Sequence, residues 1–95
     1  DIEAAAASIV GLKFANTGQV CVSPNRCFVH ESVYETFLTA AAEKAAEIIL
    51  GAGRGEGPRM GPMLTAKDRD RVLELVEAAV ADGARIVCGW PAASC

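Results

Sequence analysis

Thr65-Ala66-Lys67-Asp68, followed after an apolar-periodic run by Gly83-Ala84-Arg85-Ile86-Val87-Cys88-Gly89, sets the expected architecture of this chain. A threonine with an acidic residue three positions on is a helix start, because its hydroxyl can accept from an amide that the first turn leaves without a partner. Val72, Leu73, Val76, Ala79 and Val80 recur at three- and four-residue steps and give this helix one apolar stripe, which Gly83 ends. Ala84 to Cys88 then reads as a short apolar strand before Gly89. A helix leading into a short apolar strand is the repeating step of an α/β layer structure.

The same grammar extends towards the N-terminus. Gly51 to Pro62 holds five glycines, Gly51 included, and two prolines, and is expected to connect rather than to form regular structure. Before it, Ser32-Val33-Tyr34-Glu35 has the form of a capping box. It opens a helix whose apolar face is Val33, Phe37, Leu38, Ala41, Ala45, Ile48 and Ile49, with Gly51 as its stop. Cys27-Phe28-Val29 reads as a brief buried strand. The alanine-rich opening, Ile2 to about Ala15, reads as an amphipathic helix with Ile2, Ala6, Ile9 and Lys13 along one line and Asp1 at its positive end. Asn16-Thr17-Gly18 breaks it.

Ninety-five residues make one small domain, residues 1–95, with a modest core. The composition is 52% hydrophobic and 22% charged, and the mean hydropathy is +0.26, more apolar than a free-standing domain of this size needs. That surplus implies surface meant for other protein, and short strands with unpaired edges imply self-association or marginal stability when nothing covers them. A net charge of −3 with a pI near 5.0 gives no basic stripe for phosphates and none for an anionic membrane, so nucleic acid and membrane surfaces are poor partners. The uncharged stretch Ala4 to Leu12 is about half a bilayer span. The opening Asp1-Ile2-Glu3 has no basic leader and reads as the middle of a longer polypeptide, without a signal peptide.

Cys21, Cys27, Cys88 and Cys95 are unevenly spaced in an apolar chain, which favours reduced thiols in a cytoplasmic setting over a disulfide framework. The intervals are too long for zinc pairs and there is one histidine, so no metal site is expected. Gly51-Ala52-Gly53-Arg54-Gly55-Glu56-Gly57 invites comparison with a dinucleotide loop, but its glycine spacing fails in every register and it follows a helix instead of a strand.

The chemistry-bearing stretch is Phe14-Ala15-Asn16-Thr17-Gly18-Gln19-Val20-Cys21-Val22-Ser23-Pro24-Asn25-Arg26. It sets Cys21 in a turn after a helix, where a thiolate can meet an electrophile, and Gly18 lets backbone or ligand approach closely. Cys21 as a small buried hydrophobe is the plain alternative. A Cys21–His30 dyad acting as a hydrolase or acyltransferase is another, and a non-enzymatic interaction module is a third. Asn16 and Gln19 are read as shaping the loop through their own backbone, and Arg26 as pairing locally with an acid.

Gly18-Gln19-Val20-Cys21, with Phe14 and Asn16 before it and Arg26 after it, resembles the active-site cysteine motif of the aldehyde dehydrogenase superfamily. Val33-Tyr34-Glu35-Thr36-Phe37 is similar to the family's next helix, Gly61-Pro62 to its loop marker, and Asp82-Gly83-Ala84 through Gly89 to its next helix-to-strand passage. The resemblance runs from residue 1 to about 89, and the tail from Trp90 to Cys95 departs from it, since a second glycine commonly follows at the place of Trp90. Lys13-Phe14, Cys21-Val22 and Asn25-Arg26 lean towards the succinate-semialdehyde dehydrogenase-like branch.

The resemblance implies a fragment of the family's catalytic domain. It implies that Cys21 is the catalytic nucleophile, attacking an aldehyde to give a thiohemiacetal that passes hydride to NAD or NADP and leaves a thioester for hydrolysis. The Cys21 amide would be one oxyanion donor. The second donor, an asparagine, and the glutamate base lie upstream in the family, as does the dinucleotide-binding unit. The isolated chain is therefore expected to be inactive and to bind NAD poorly, while the parent enzyme is expected to be a homo-oligomer.

Overall fold

The computed structural model describes residues 1–52, 54, 56 and 59–89. The tail 90–95 and Gly53, Gly55, Gly57 and Pro58 of the glycine-rich run lie outside the described residues. Three helices dominate: α1 (Ile2–Phe14), α2 (Tyr34–Ala46) and α3 (Ala66–Ala81), with a parallel pair of two-residue strands, β1 (Ile49–Leu50) and β2 (Arg59–Met60), between the last two.

α1 begins where Asp1 Oδ1 accepts from the Ala4 amide at 3.1 Å, which satisfies a first-turn donor and sets a negative charge at the positive end of the helix dipole. Ile2, Ala6, Ile9, Val10 and Phe14 are its buried or half-buried residues, so the expected line holds at Ile2, Ala6 and Ile9, while Lys13 is exposed and Val10 and Phe14 take the inward places. α1 packs against α2, and Ala6 (0% exposed) and Val10 (8%) of the first and Ala40 (2%) of the second are the only buried apolar residues among those described. Small side chains at the crossing bring the backbones together, with Phe37, Leu38, Ala41 and Ala45 half-buried around them.

The start of α2 differs from the capping box expected at Ser32. The His30 ring Nδ1 accepts from the Ser32 amide at 3.2 Å and lies 2.9 Å from Ser32 Oγ, and Glu31–Val33 forms a short 3-10 turn before the α-helix proper. The imidazole takes the Ser32 amide, the donor that the Glu35 carboxylate reaches back to in a capping box, and the serine oxygen lies against the ring. At the other end α2 stops at Ala46, not at Gly51, and Ile49 and Leu50 leave the helix to pair with Arg59 and Met60. This pair falls partly in the stretch expected to be irregular. Two-residue strands span only about 7 Å, so the few residues between them can return the chain for parallel pairing.

α3 follows its sequence signals closely. Thr65 Oγ1 accepts from the Asp68 amide at 3.1 Å and contacts Asp68 Oδ2 at 2.6 Å. At the far end Gly83, at φ 100°, closes a Schellman motif: its amide donates to the Val80 carbonyl at 3.0 Å and that of Ala84 to the Ala79 carbonyl at 2.9 Å. The expected packing does not follow, because no residue of α3 is buried and its stripe of Val72, Leu73 and Val80 is exposed.

The two expected strands, Cys27–Val29 and Ala84–Cys88, are not formed. Phe28 is 92% exposed, and a lone apolar run becomes a strand only when another backbone lies alongside to take its hydrogen bonds. Val87 and Cys88 instead line a shallow apolar groove with Val10, Phe14 and Leu38. The chain is thus a helical pair with an outlying helix, and α/β only in the loose sense that one minimal parallel pair is present. No helix among the described residues is long and apolar enough to cross a membrane.

Candidate active site

The segment after α1 holds an unusual backbone. Asn16, Thr17 and Gly18 lie in succession in the left-handed region, at φ 48°, 60° and 76°. Asparagine and glycine visit it readily, but a β-branched threonine there is an outlier that costs about 1–3 kcal/mol. Gly18 also sits in a tight place, since a Cβ at that position would stand 3.3 Å from the Lys13 carbonyl oxygen, which would have to give way by a few tenths of an ångström.

Side-chain hydrogen bonds hold this turn from inside and outside. Inside it, the Gln19 amide and Nε2 both donate to the Asn16 carbonyl, at 3.1 and 3.0 Å, and Asn16 Nδ2 donates to the Gln19 carbonyl at 3.2 Å. Both amide side chains therefore shape the loop, as their residue types suggest. From outside, Thr17 Oγ1 donates to the Gly61 carbonyl at 2.8 Å, and Gln19 Oε1 accepts from the Leu64 amide at 2.9 Å. These two bonds reach across the molecule to the segment before α3, and sequence reading missed them. The one available signal was a polar residue on either side of Gly18.

Cys21 sits two residues beyond Gln19 and is exposed. Its amide takes no hydrogen bond among the described residues, whereas the next turn is closed by the Ser23 amide donating to the Val20 carbonyl at 3.0 Å. The reading of Cys21 as a buried hydrophobe therefore fails. Ser23 Oγ is buried with no partner among the described residues. Cys27 is exposed too, and Cys88 is half-buried. Arg26 is exposed and takes no ion pair among the described residues, so the local pairing expected for it does not form; the arginines that do meet an acid include Arg69, 2.6 Å from Asp70, and Arg85, 3.6 Å from Glu35. His30 spends its Nδ1 on Ser32 and makes no hydrogen bond to Cys21, so the structure does not bring the dyad together.

A sequence model of the aldehyde dehydrogenase family matches residues 1–94. The chain belongs to the aldehyde dehydrogenase family. It is 40% identical over 93 residues to phenylacetaldehyde dehydrogenase of Pseudomonas fluorescens, covering 98% of this chain and 18% of that protein. It is 39% identical over 89 residues to 3-sulfolactaldehyde dehydrogenase of Priestia aryabhattai, covering 94% of this chain and 19% of the relative. Succinate-semialdehyde dehydrogenase [NADP(+)] 1 of Schizosaccharomyces pombe is 38% identical over 94 residues, 99% of this chain and 19% of the relative. The chain thus spans about a fifth of the length of the curated aldehyde dehydrogenases it matches. No solved structure matches it. Near-equal identity to relatives named for different aldehydes gives the succinate-semialdehyde branch no precedence over the others.

Proposed function

We propose that this chain is the nucleophile-bearing segment of an NAD(P)-dependent aldehyde dehydrogenase, with Cys21 as the attacking residue. The observation that carries the reading is the coincidence, within a match to the family over residues 1–94, of an exposed thiol and an amide without a partner among the described residues, at the same residue. In the step these residues would perform, Cys21 Sγ as thiolate forms a bond to the aldehyde carbon and the carbonyl π pair moves to oxygen. The Cys21 N–H then donates to the resulting alkoxide, a fixed dipole aimed at charge that develops only in the adduct.

No strand, glycine turn and helix of the kind that cradles a dinucleotide occurs among the described residues, and the role argued for this chain is that of Cys21, which holds the substrate covalently. The exposed apolar side chains Phe28, Leu64 and Val72 suit the same reading, as surface that the remaining length of a family enzyme would cover. Such an enzyme would be a cytoplasmic homo-oligomer.

The test is competitive trapping of the chain with an α,β-unsaturated aldehyde, with adducts assigned by peptide mass spectrometry. Cys21 is expected to react several-fold faster than Cys27, which is also exposed. Equal labelling of the two thiols, or preference for Cys27, would count against Cys21 as the nucleophile.

A further inference from the structure

A β-branched residue in the left-handed region persists only where its surroundings over-determine it. Thr17 is such a residue, and its hydroxyl is the group that is held, by the Gly61 carbonyl at 2.8 Å. Gln19, two residues before the thiol, uses both ends of its amide: Nε2 closes the turn on Asn16 and Oε1 takes the Leu64 N–H at 2.9 Å. Neither bond is local, since the partners lie 44 and 45 residues further along the chain. Without them, the Asn16–Gln19 bonds that close the turn from inside would hold the threonine conformer by themselves.

We propose that Thr17 and Gln19 are positioning residues for Cys21, and that the backbone of Gly61 to Leu64 is the fixed wall to which they tie it. The geometric part stands on the two hydrogen bonds alone, and its catalytic meaning rests on the reading of Cys21 as the nucleophile. Thr17 acts through its hydroxyl, so serine in its place keeps the bond and valine, of nearly the same shape, removes it. Gln19 acts towards Leu64 as an acceptor, so glutamate keeps that bond and methionine removes it.

The test uses the full 95-residue chain, with backbone amide order parameters at Cys21 and hydrogen exchange at the Leu64 amide read by NMR. In Thr17→Val and Gln19→Met the Cys21 order parameter is expected to fall from about 0.85 to below about 0.6. Gln19→Met also speeds exchange at Leu64, and Thr17→Ser retains the order at Cys21. Unchanged methyl shifts at Ala6, Val10 and Ala40 show that the α1–α2 core is intact in each variant. An order parameter that stays high in both valine and methionine variants overturns the proposal. So does a fall in Thr17→Ser as large as in Thr17→Val, because the effect would then not belong to the hydroxyl. Order lost as expected in a chain whose wild-type Cys21 shows no preference for the unsaturated aldehyde supports the tether and removes the nucleophile reading instead.

Discussion

Alanine at Gly11 and at Gly18 should move stability in opposite directions, although the two positions are seven residues apart. Gly11 lies inside α1 on its exposed side, and a Cβ built there meets nothing within 4 Å. Alanine at a helix interior is worth about 0.8–1 kcal/mol over glycine, so Gly11→Ala should stabilise by roughly that amount. Gly18 stands at φ 76°, where an L side chain meets its following carbonyl at a cost of about 1–2 kcal/mol. The new Cβ would also press on the Lys13 carbonyl oxygen at 3.3 Å, so the α1 terminus must yield by a few tenths of an ångström. The two variants therefore lie about 2–3 kcal/mol apart, and at a urea slope of about 1 kcal/mol/M their midpoints differ by about 2–3 M. Urea titration followed by far-UV circular dichroism, with slopes shared between variants, measures this. A Gly18→Ala chain as stable as wild type, or more stable by the roughly 0.4–1 kcal/mol that a glycine of ordinary backbone gives, would refute the left-handed turn.

Other substitutions test other parts of the molecule. Thr65→Ala removes the α3 cap at about 1 kcal/mol, and since α3 buries nothing the loss should appear as fraying of residues 66–69 in amide exchange, with α1 and α2 unchanged. Ala6→Leu forces a larger side chain into the α1–α2 crossing and should destabilise by about 1–3 kcal/mol in the same urea assay. Ser23→Ala removes a buried hydroxyl without a partner among the described residues and should be neutral or stabilising by up to about 1 kcal/mol; a clear loss would show that the hydroxyl is satisfied. Lys44 is held above its ordinary value of 10.5 by its hydrogen bond to Glu47 at 2.9 Å, so the pair stabilises fully below that pH and ceases to as pH rises through the raised value. A side-chain NMR titration should show the lysine moving back towards its ordinary value in Glu47→Gln.

What could be read from residue order was whatever is closed by near neighbours. The cap at Thr65 and the stop at Gly83 span a few residues, and both formed as their residue types require. The box at Ser32 did not form because His30, two residues before it, takes the Ser32 amide that the Glu35 carboxylate would have reached back to, a contest that a four-residue pattern does not contain. The runs Cys27–Val29 and Ala84–Cys88 have the right side chains for strands, but pairing depends on a neighbouring backbone that the described residues do not supply. At the candidate site the resemblance located Cys21, and Asn16 and Gln19 were legible as loop-shaping amides. Their outward partners were not, because no local rule joins Thr17 to Gly61 or Gln19 to Leu64.

The span of those two bonds also fixes when the cysteine turn can mature. A ribosome adds about 5–20 residues each second, so the 44 or 45 residues between the turn and its anchors take on the order of 2–9 s to emerge. During that interval α1 can already be wound, since its cap and helical bonds are local, while the turn behind it has only the Asn16–Gln19 bonds to hold a threonine in an unfavoured conformer. The nascent thiol is then an ordinary flexible cysteine, and its organised geometry arrives late, with the segment that leads into the last helix.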